Sequence, residues 1–145
     1  FGIAFALLVI VVLGASFAWR VRGVISEDPT DQVPPFPIQA TEFMQGAGLA
    51  GNLFNKYGWG GYLIWHGEQV FIDGRADVYG DEFLHQYMRI YRGEVSPEQV
   101  FQKYTIRRVL IEPNSSLATL LEQSSQWNEI YQDEMAVLFA RAESL

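Results

Sequence analysis

The chain contains no cysteine and only two histidines, His66 and His85. Without thiolates there is neither a disulfide framework nor a cysteine-ligated metal site, although this alone does not fix the compartment. The two histidines stand at no metal-motif spacing, so neither a zinc centre nor another cofactor is expected. Basic residues are scarce as well: ten Lys and Arg stand against seventeen Asp and Glu. Two of the ten, Arg20 and Arg22, precede the first acid, Glu27. Beyond Gly23 eight basic residues therefore face seventeen acidic ones, a net charge of −9. Such a surface repels phosphate backbones and argues against nucleic acid as a partner. Anionic lipid headgroups repel it too unless it is tethered to them.

Charge is missing altogether from residues 1–19, FGIAFALLVIVVLGASFAW, where Ser16 is the one hydroxyl. At 1.5 Å per residue this run makes a helix of roughly 28 Å, close to the hydrocarbon thickness of a bilayer. A helix also satisfies its own backbone in lipid. Trp19, Arg20 and Arg22 come next as an interfacial belt with cationic anchors. A secretory leader would open with Met and a basic segment and end at a small-residue cleavage site. The run opens at Phe1 instead, which reads as a processed chain or a piece of a longer one. It is apolar on every face, unlike a core helix. The sequence thus predicts a transmembrane helix and anchor over residues 1–23, with the lipid bilayer as a partner. Arg20 and Arg22 by themselves favour a cytoplasmic position for residues 24–145.

Residues 24–37 form an acidic linker; SEDPTDQVPPFP (26–37) holds four of the six prolines and three acids. Pro34, Pro35 and Pro37 impose extended, semi-rigid backbone there. Residues 38–145 alternate short helical and strand patterns, predicting a small α/β domain with a mixed sheet that ends in a β-hairpin. Helices are expected over 40–49, 81–92, from Ser96-Pro97 to about 104, and from Ser115 or Ser116 to 123. Strands are expected at 52–55, 69–72, 108–111, 127–131 and 135–140. Residues 57–61 (YGWGG) read as a glycine-rich turn, and 61–66 as a buried helix or strand with Trp65 in the core.

Two clusters are candidates for a site. Asp73, Arg75 and Asp77 come directly after the 69–72 strand, where open α/β sheets place their ligands. Two carboxylates flanking an arginine suit a cation, a sugar hydroxyl or a phosphate; the alternative is that Arg75 pairs with an aspartate and braces the loop. Tyr57, Trp59 and Tyr62 offer flat rings with polar tips, the surface that stacks on sugars or fills an interface. The glycines among them allow close backbone approach, but the Lys-Ser/Thr of a phosphate loop is missing after them. No nucleophile, base and orienting group can be assembled, so no catalytic residue is assigned.

In order and spacing, NLFNKYGWGGYLIW, VFIDGRADVYGDEFLHQY, YTIRRVLIE and WNEIYQDEMAVLFAR resemble the C-terminal extracytoplasmic domain of bacterial polytopic membrane proteins similar to lipid-linked-sugar-dependent glycosyltransferases. The resemblance covers about residues 38–141. It implies a periplasmic position, opposite to the arginine vote, and catalytic acids in membrane-proximal loops of an N-terminal half. Residues 57–62 are the counterpart of the acceptor-recognising Trp-Trp-Asp-Tyr-Gly stretch of oligosaccharyltransferases. That triplet is absent here, so acceptor-peptide binding does not carry over. Two readings stand side by side. Either the chain is the last span and C-terminal domain of a glycosyltransferase-like membrane protein, or it is a single-span accessory subunit docking on other membrane-protein subunits.

Overall fold

A computed structural model describes residues 36–142. The predicted spanning helix and most of the linker lie outside the described residues. Among the described residues no helix is long and apolar enough to cross a membrane. The elements are α1 (Ile38–Gly46), β1 (Asn52–Asn55), a 3-10 turn (Tyr57–Trp59), α2 (Gly60–Trp65), α3 (Ala76–Tyr79), α4 (Asp81–Tyr91), α5 (Glu98–Lys103), β2 (Ile106–Ile111), α6 (Ser116–Glu122), β3 (Trp127–Gln132) and β4 (Val137–Arg141). The strands form one mixed sheet in the order β1-β2-β4-β3. β1 runs parallel to β2, and β4 antiparallel to both β2 and β3. The α/β class, the mixed sheet and the closing hairpin are therefore as the sequence predicts.

Strand alternation sends successive residues to opposite faces, and both faces are covered. Phe54, Val109, Ile111 and Phe139 enter one core with Tyr87 and Ile90 of α4, Phe101 of α5 and Leu117 of α6. Leu53, Leu110 and Leu138 enter the other with Met44 of α1 and Leu63 of α2. This accounts for β2 being buried almost throughout. Even Arg108 in that strand is only 5% exposed.

Three local expectations are corrected. Residues 69–72 are not a strand of the sheet: only Val70 bridges to Leu53, in parallel. Beyond it one backbone bond, from the Phe71 N–H to Leu53 O at 2.9 Å, continues the pairing, and the side chain of Asn55 takes over from there. Its Oδ1 accepts from the Phe71 and Ile72 N–H groups at 3.0 and 3.3 Å, and its Nδ2 donates to Ile72 O at 2.8 Å. Nor are residues 57–61 an open turn, because the chain winds through the 3-10 turn directly into α2. That winding sets the phase of the two tryptophans. Trp59 is buried at 2% exposure, whereas Trp65, predicted to be core, is 86% exposed.

The capping chemistry is closer to expectation. Ser115 caps α6 by accepting from the Ala118 N–H at 3.2 Å. At the start of α5 the cap position falls on Pro97, one residue after the serine expected there. Gly80, at φ 77° and ψ 157°, opens α4 from a conformation that side chains beyond glycine rarely adopt.

Candidate functional site

Residues 70–72, β1 and β2 run in parallel, so their carboxyl ends lie along one edge, where an α/β sheet exposes its loops. Three groups of polar side chains collect there. The first is the loop after residue 72. Asp73 Oδ1 accepts from the Arg75 backbone N–H and from Nε, both at 2.9 Å, and Oδ2 accepts from Nη2 at 2.6 Å. The Asp73 side chain is 3% exposed while that of Arg75 is 68% exposed, so the guanidinium lies across the carboxylate as a lid. Hydrogen bonds from Arg75 hold the Asp73 carboxyl down at about 2, against the opposing effect of burial. Burial first, then Asp73, pushes the nearby Tyr79 phenol up. Asp77 is exposed on α3. Of the two roles open to Arg75, bracing the loop is the one its contacts fill.

Asp73 titrates lower folded than unfolded, so its contribution to stability is fully present above the unfolded carboxylate value. It is lost as pH falls from about 4 towards about 2. Asp73→Asn is therefore expected to lower the denaturation midpoint at neutral pH and to match the parent chain near the bottom of that window. The exposure of Arg75 keeps the difference modest. Denaturant midpoints across pH check this; a difference that does not change with pH would contradict it.

The second group is the aromatic-glycine segment. Tyr57 donates its backbone N–H to the Tyr87 hydroxyl at 2.9 Å, and its ring packs against the core. Trp59 lies in the other core, with Lys56 Nζ 5.1 Å from its ring centre. Tyr62 stacks on Phe36, at 4.8 Å and 8°, and meets the His66 ring at 4.2 Å with a tilt of 38°. All three rings singled out in the sequence are thus engaged within the domain. The segment does meet the Asp73 loop at Gly60, where an added Cβ would stand 2.3 Å from Ile72 O and 2.6 Å from Asp73 Cα. The structure brings the two sequence-predicted clusters together there.

The third group is one that sequence reasoning missed. Lys56 forms an ion pair with Glu112 Oε1, and the Tyr91 hydroxyl donates to Oε2 at 2.9 Å. Burial alone would raise the Glu112 carboxyl, but the bonds from Lys56 and Tyr91 outweigh it and lower it. Burial chiefly, with Glu112 adding to it, pushes the Tyr91 phenol up. The Tyr87 hydroxyl donates to Asn55 O at 3.1 Å, and burial pushes that phenol up as well. The one hint in the sequence is positional: Asn55 ends β1 and Glu112 stands directly after β2. Beside Glu112 opens a cavity of about 650 Å³ lined by Tyr91, Arg92, Ser115, Glu134 and Met135 among others.

Chemically this edge is a braced rim. Each carboxylate with a lowered value is shared with a cation or phenol, and the hydroxyl of Ser115 is spent on backbone, accepting from the Ala118 N–H as the α6 cap and donating to Glu112 O at 2.8 Å. No protein family, curated protein or solved structure matches the chain.

Proposed function

We propose that this chain is a membrane-anchored extracytoplasmic domain without a catalytic centre of its own, the C-terminal part of a glycosyltransferase-like membrane protein. The observation that carries this reading is the state of the sheet's carboxyl edge. Asp73 is closed by Arg75 and Glu112 by Lys56 and Tyr91, so the groups placed where a ligand would be worked on are tied to one another. Proton transfer needs a group left in reach of a substrate, and these are engaged. The uncharged run of residues 1–19 supports anchoring in a bilayer. The order and spacing of the FN…GGYLIW…VFIDGR stretches support the glycosyltransferase-like attachment and, with it, the periplasmic side.

The test uses the whole 145-residue chain in a bacterial host. It is expected to remain in the membrane pellet at alkaline pH, to be cut when protease is added to spheroplasts, and to transfer no sugar from a labelled lipid-linked donor. Alkaline release, cleavage only in inverted vesicles, or transfer by the chain alone would each overturn the reading.

A further inference from the structure

The stretch from Tyr57 to Gly67, YGWGGYLIWHG, carries no Asp, Glu, Lys or Arg in a chain where these make up 19% of residues. The charges that bound it are both paired within the domain. Lys56 pairs with Glu112, and Glu68 pairs with Arg108 at 2.8 Å with its side chain 12% exposed. The end of α2, the tip of this stretch, therefore carries no charged side chain of its own. There Trp65 is 86% exposed and Ile64 44% exposed.

The tip is held rigidly. α2 is seated on the Ile72–Asp73 backbone through Gly60. Its far end is pinned by the Gln45 side chain, which donates to His66 O at 2.9 Å, and by the turn at Gly67, φ +84°. A tryptophan at the end of a helix packed on the domain loses little freedom on insertion into a second phase. Its amphipathic ring favours the headgroup layer of a bilayer over either water or hydrocarbon.

We infer that Ile64 and Trp65 form a lipid contact, inserting into the interfacial layer of a neutral, zwitterionic bilayer. This rests on the membrane-anchored reading above. The chain that precedes the described residues favours lipid as the occupant. Residues 1–19 match a bilayer in length and apolarity, and the twelve residues 24–35 can span no more than about 43 Å in any conformation. The tether thus keeps the domain within reach of a membrane surface at high local concentration. The net charge of −9 disfavours an anionic surface, whereas the uncharged tip tolerates a zwitterionic one.

The chain has four tryptophans, at 19, 59, 65 and 127. Trp59 and Trp127 are buried and serve as internal references. Full-length chain is reconstituted, one copy per disc, in phosphatidylcholine nanodiscs with or without shallow bromine labels on the acyl chains. In the Trp19→Phe chain, Trp65 is one of three remaining emitters, so bromine is expected to remove up to about one third of the fluorescence. Adding Ile64→Asp to that chain is expected to abolish the quenching while the far-ultraviolet circular dichroism stays unchanged. In the Trp65→Phe chain, quenching reports Trp19 and hence the anchor alone. Quenching there but not in Trp19→Phe would overturn the lipid contact and leave the anchor standing. Quenching in neither would overturn both. An unquenched Trp65 with blue-shifted emission would assign the tip to a protein surface, and quenching that survives Ile64→Asp would also overturn the inference.

Discussion

Arg108→Ala is expected to lower the unfolding free energy by about 3–5 kcal/mol, the range for removing one partner of a buried ion pair. Arg108 lies in β2, opposite Leu53 of β1 and Ala140 of β4, so its stem is walled by strands on both sides. Its Nη2 donates to Gly51 O at 2.7 Å and to Glu68 Oε2 at 2.8 Å, and Nε donates to Gly51 O at 3.1 Å. The two side chains are 6% and 12% exposed. Alanine leaves the Glu68 carboxylate without its cation and the Gly51 carbonyl without its donors, where little water enters. The loss is a large share of the roughly 5–15 kcal/mol that stabilises an ordinary domain.

Removing both charges is a different matter. Arg108→Met with Glu68→Leu takes away the desolvated pair and is expected to recover most of the loss. The surface pairs of Glu94 with Arg89 and Arg92, at 3.9 Å and about half exposed or more, are the contrasting case. Glu94→Ala is expected to cost less than about 1 kcal/mol. Denaturant unfolding of the whole chain in detergent compares the three variants with the parent. A cost for Arg108→Ala as small as that for Glu94→Ala would mean that the pair is hydrated.

How much of this was legible depends on distance along the chain. The strands NLFN, RVLI and VLFA announce themselves as short unbroken apolar runs, the pattern of strands covered on both faces, and the helix over 81–91 by its apolar stripe at helical period. The helix caps and the closing hairpin are equally local. An arginine in a strand ordinarily reads as a solvent-facing residue, and only the fold brings Glu68 and Gly51 to Arg108. The bond between Lys56 and Glu112 likewise spans 56 positions. The strand expected at 69–72 failed because Asn55, from another element, supplies the hydrogen bonds that a neighbouring strand would. Trp59 and Trp65 changed places for a different reason. A six-residue helix is too short to show its phase, and starting it at Gly60 rather than later rotates every ring after it. Of the candidate site, the Asp73–Arg75 pairing was present in the sequence as one of two alternatives. Asp77 and the rings of Tyr57, Trp59 and Tyr62 were visible as residue types, but the partners of the three rings were not.

The apposition of the two candidate clusters makes its own strong prediction at adjacent glycines. Gly60→Ala is expected to destabilise the chain by about 3 kcal/mol, the upper end of the cost of overpacking. Helix propensity alone points the other way, since alanine is favoured over glycine in a helix by up to about 1 kcal/mol. Sterics dominate because the atoms in the way are largely backbone: Ile72 O at 2.3 Å and Asp73 Cα at 2.6 Å, with Asp73 Cβ at 2.7 Å. No rotamer change relieves such a contact. Either α2 lifts away from its core or residues 72–73 move. The second course pulls Ile72 from the Asn55 side chain, and Asp73 takes its bonds to Arg75 with it. Gly61, the next residue of the same helix, has no atom within 4 Å of an added Cβ. Gly61→Ala is therefore expected to be neutral or to stabilise by up to about 1 kcal/mol. Denaturation midpoints of the two single variants should separate, falling for Gly60→Ala and holding or rising for Gly61→Ala. Equal tolerance at both positions would show that α2 is not seated on the Asp73 loop. In that case the rigid presentation of Trp65 loses its support as well, because Gly60 is where α2 is fixed.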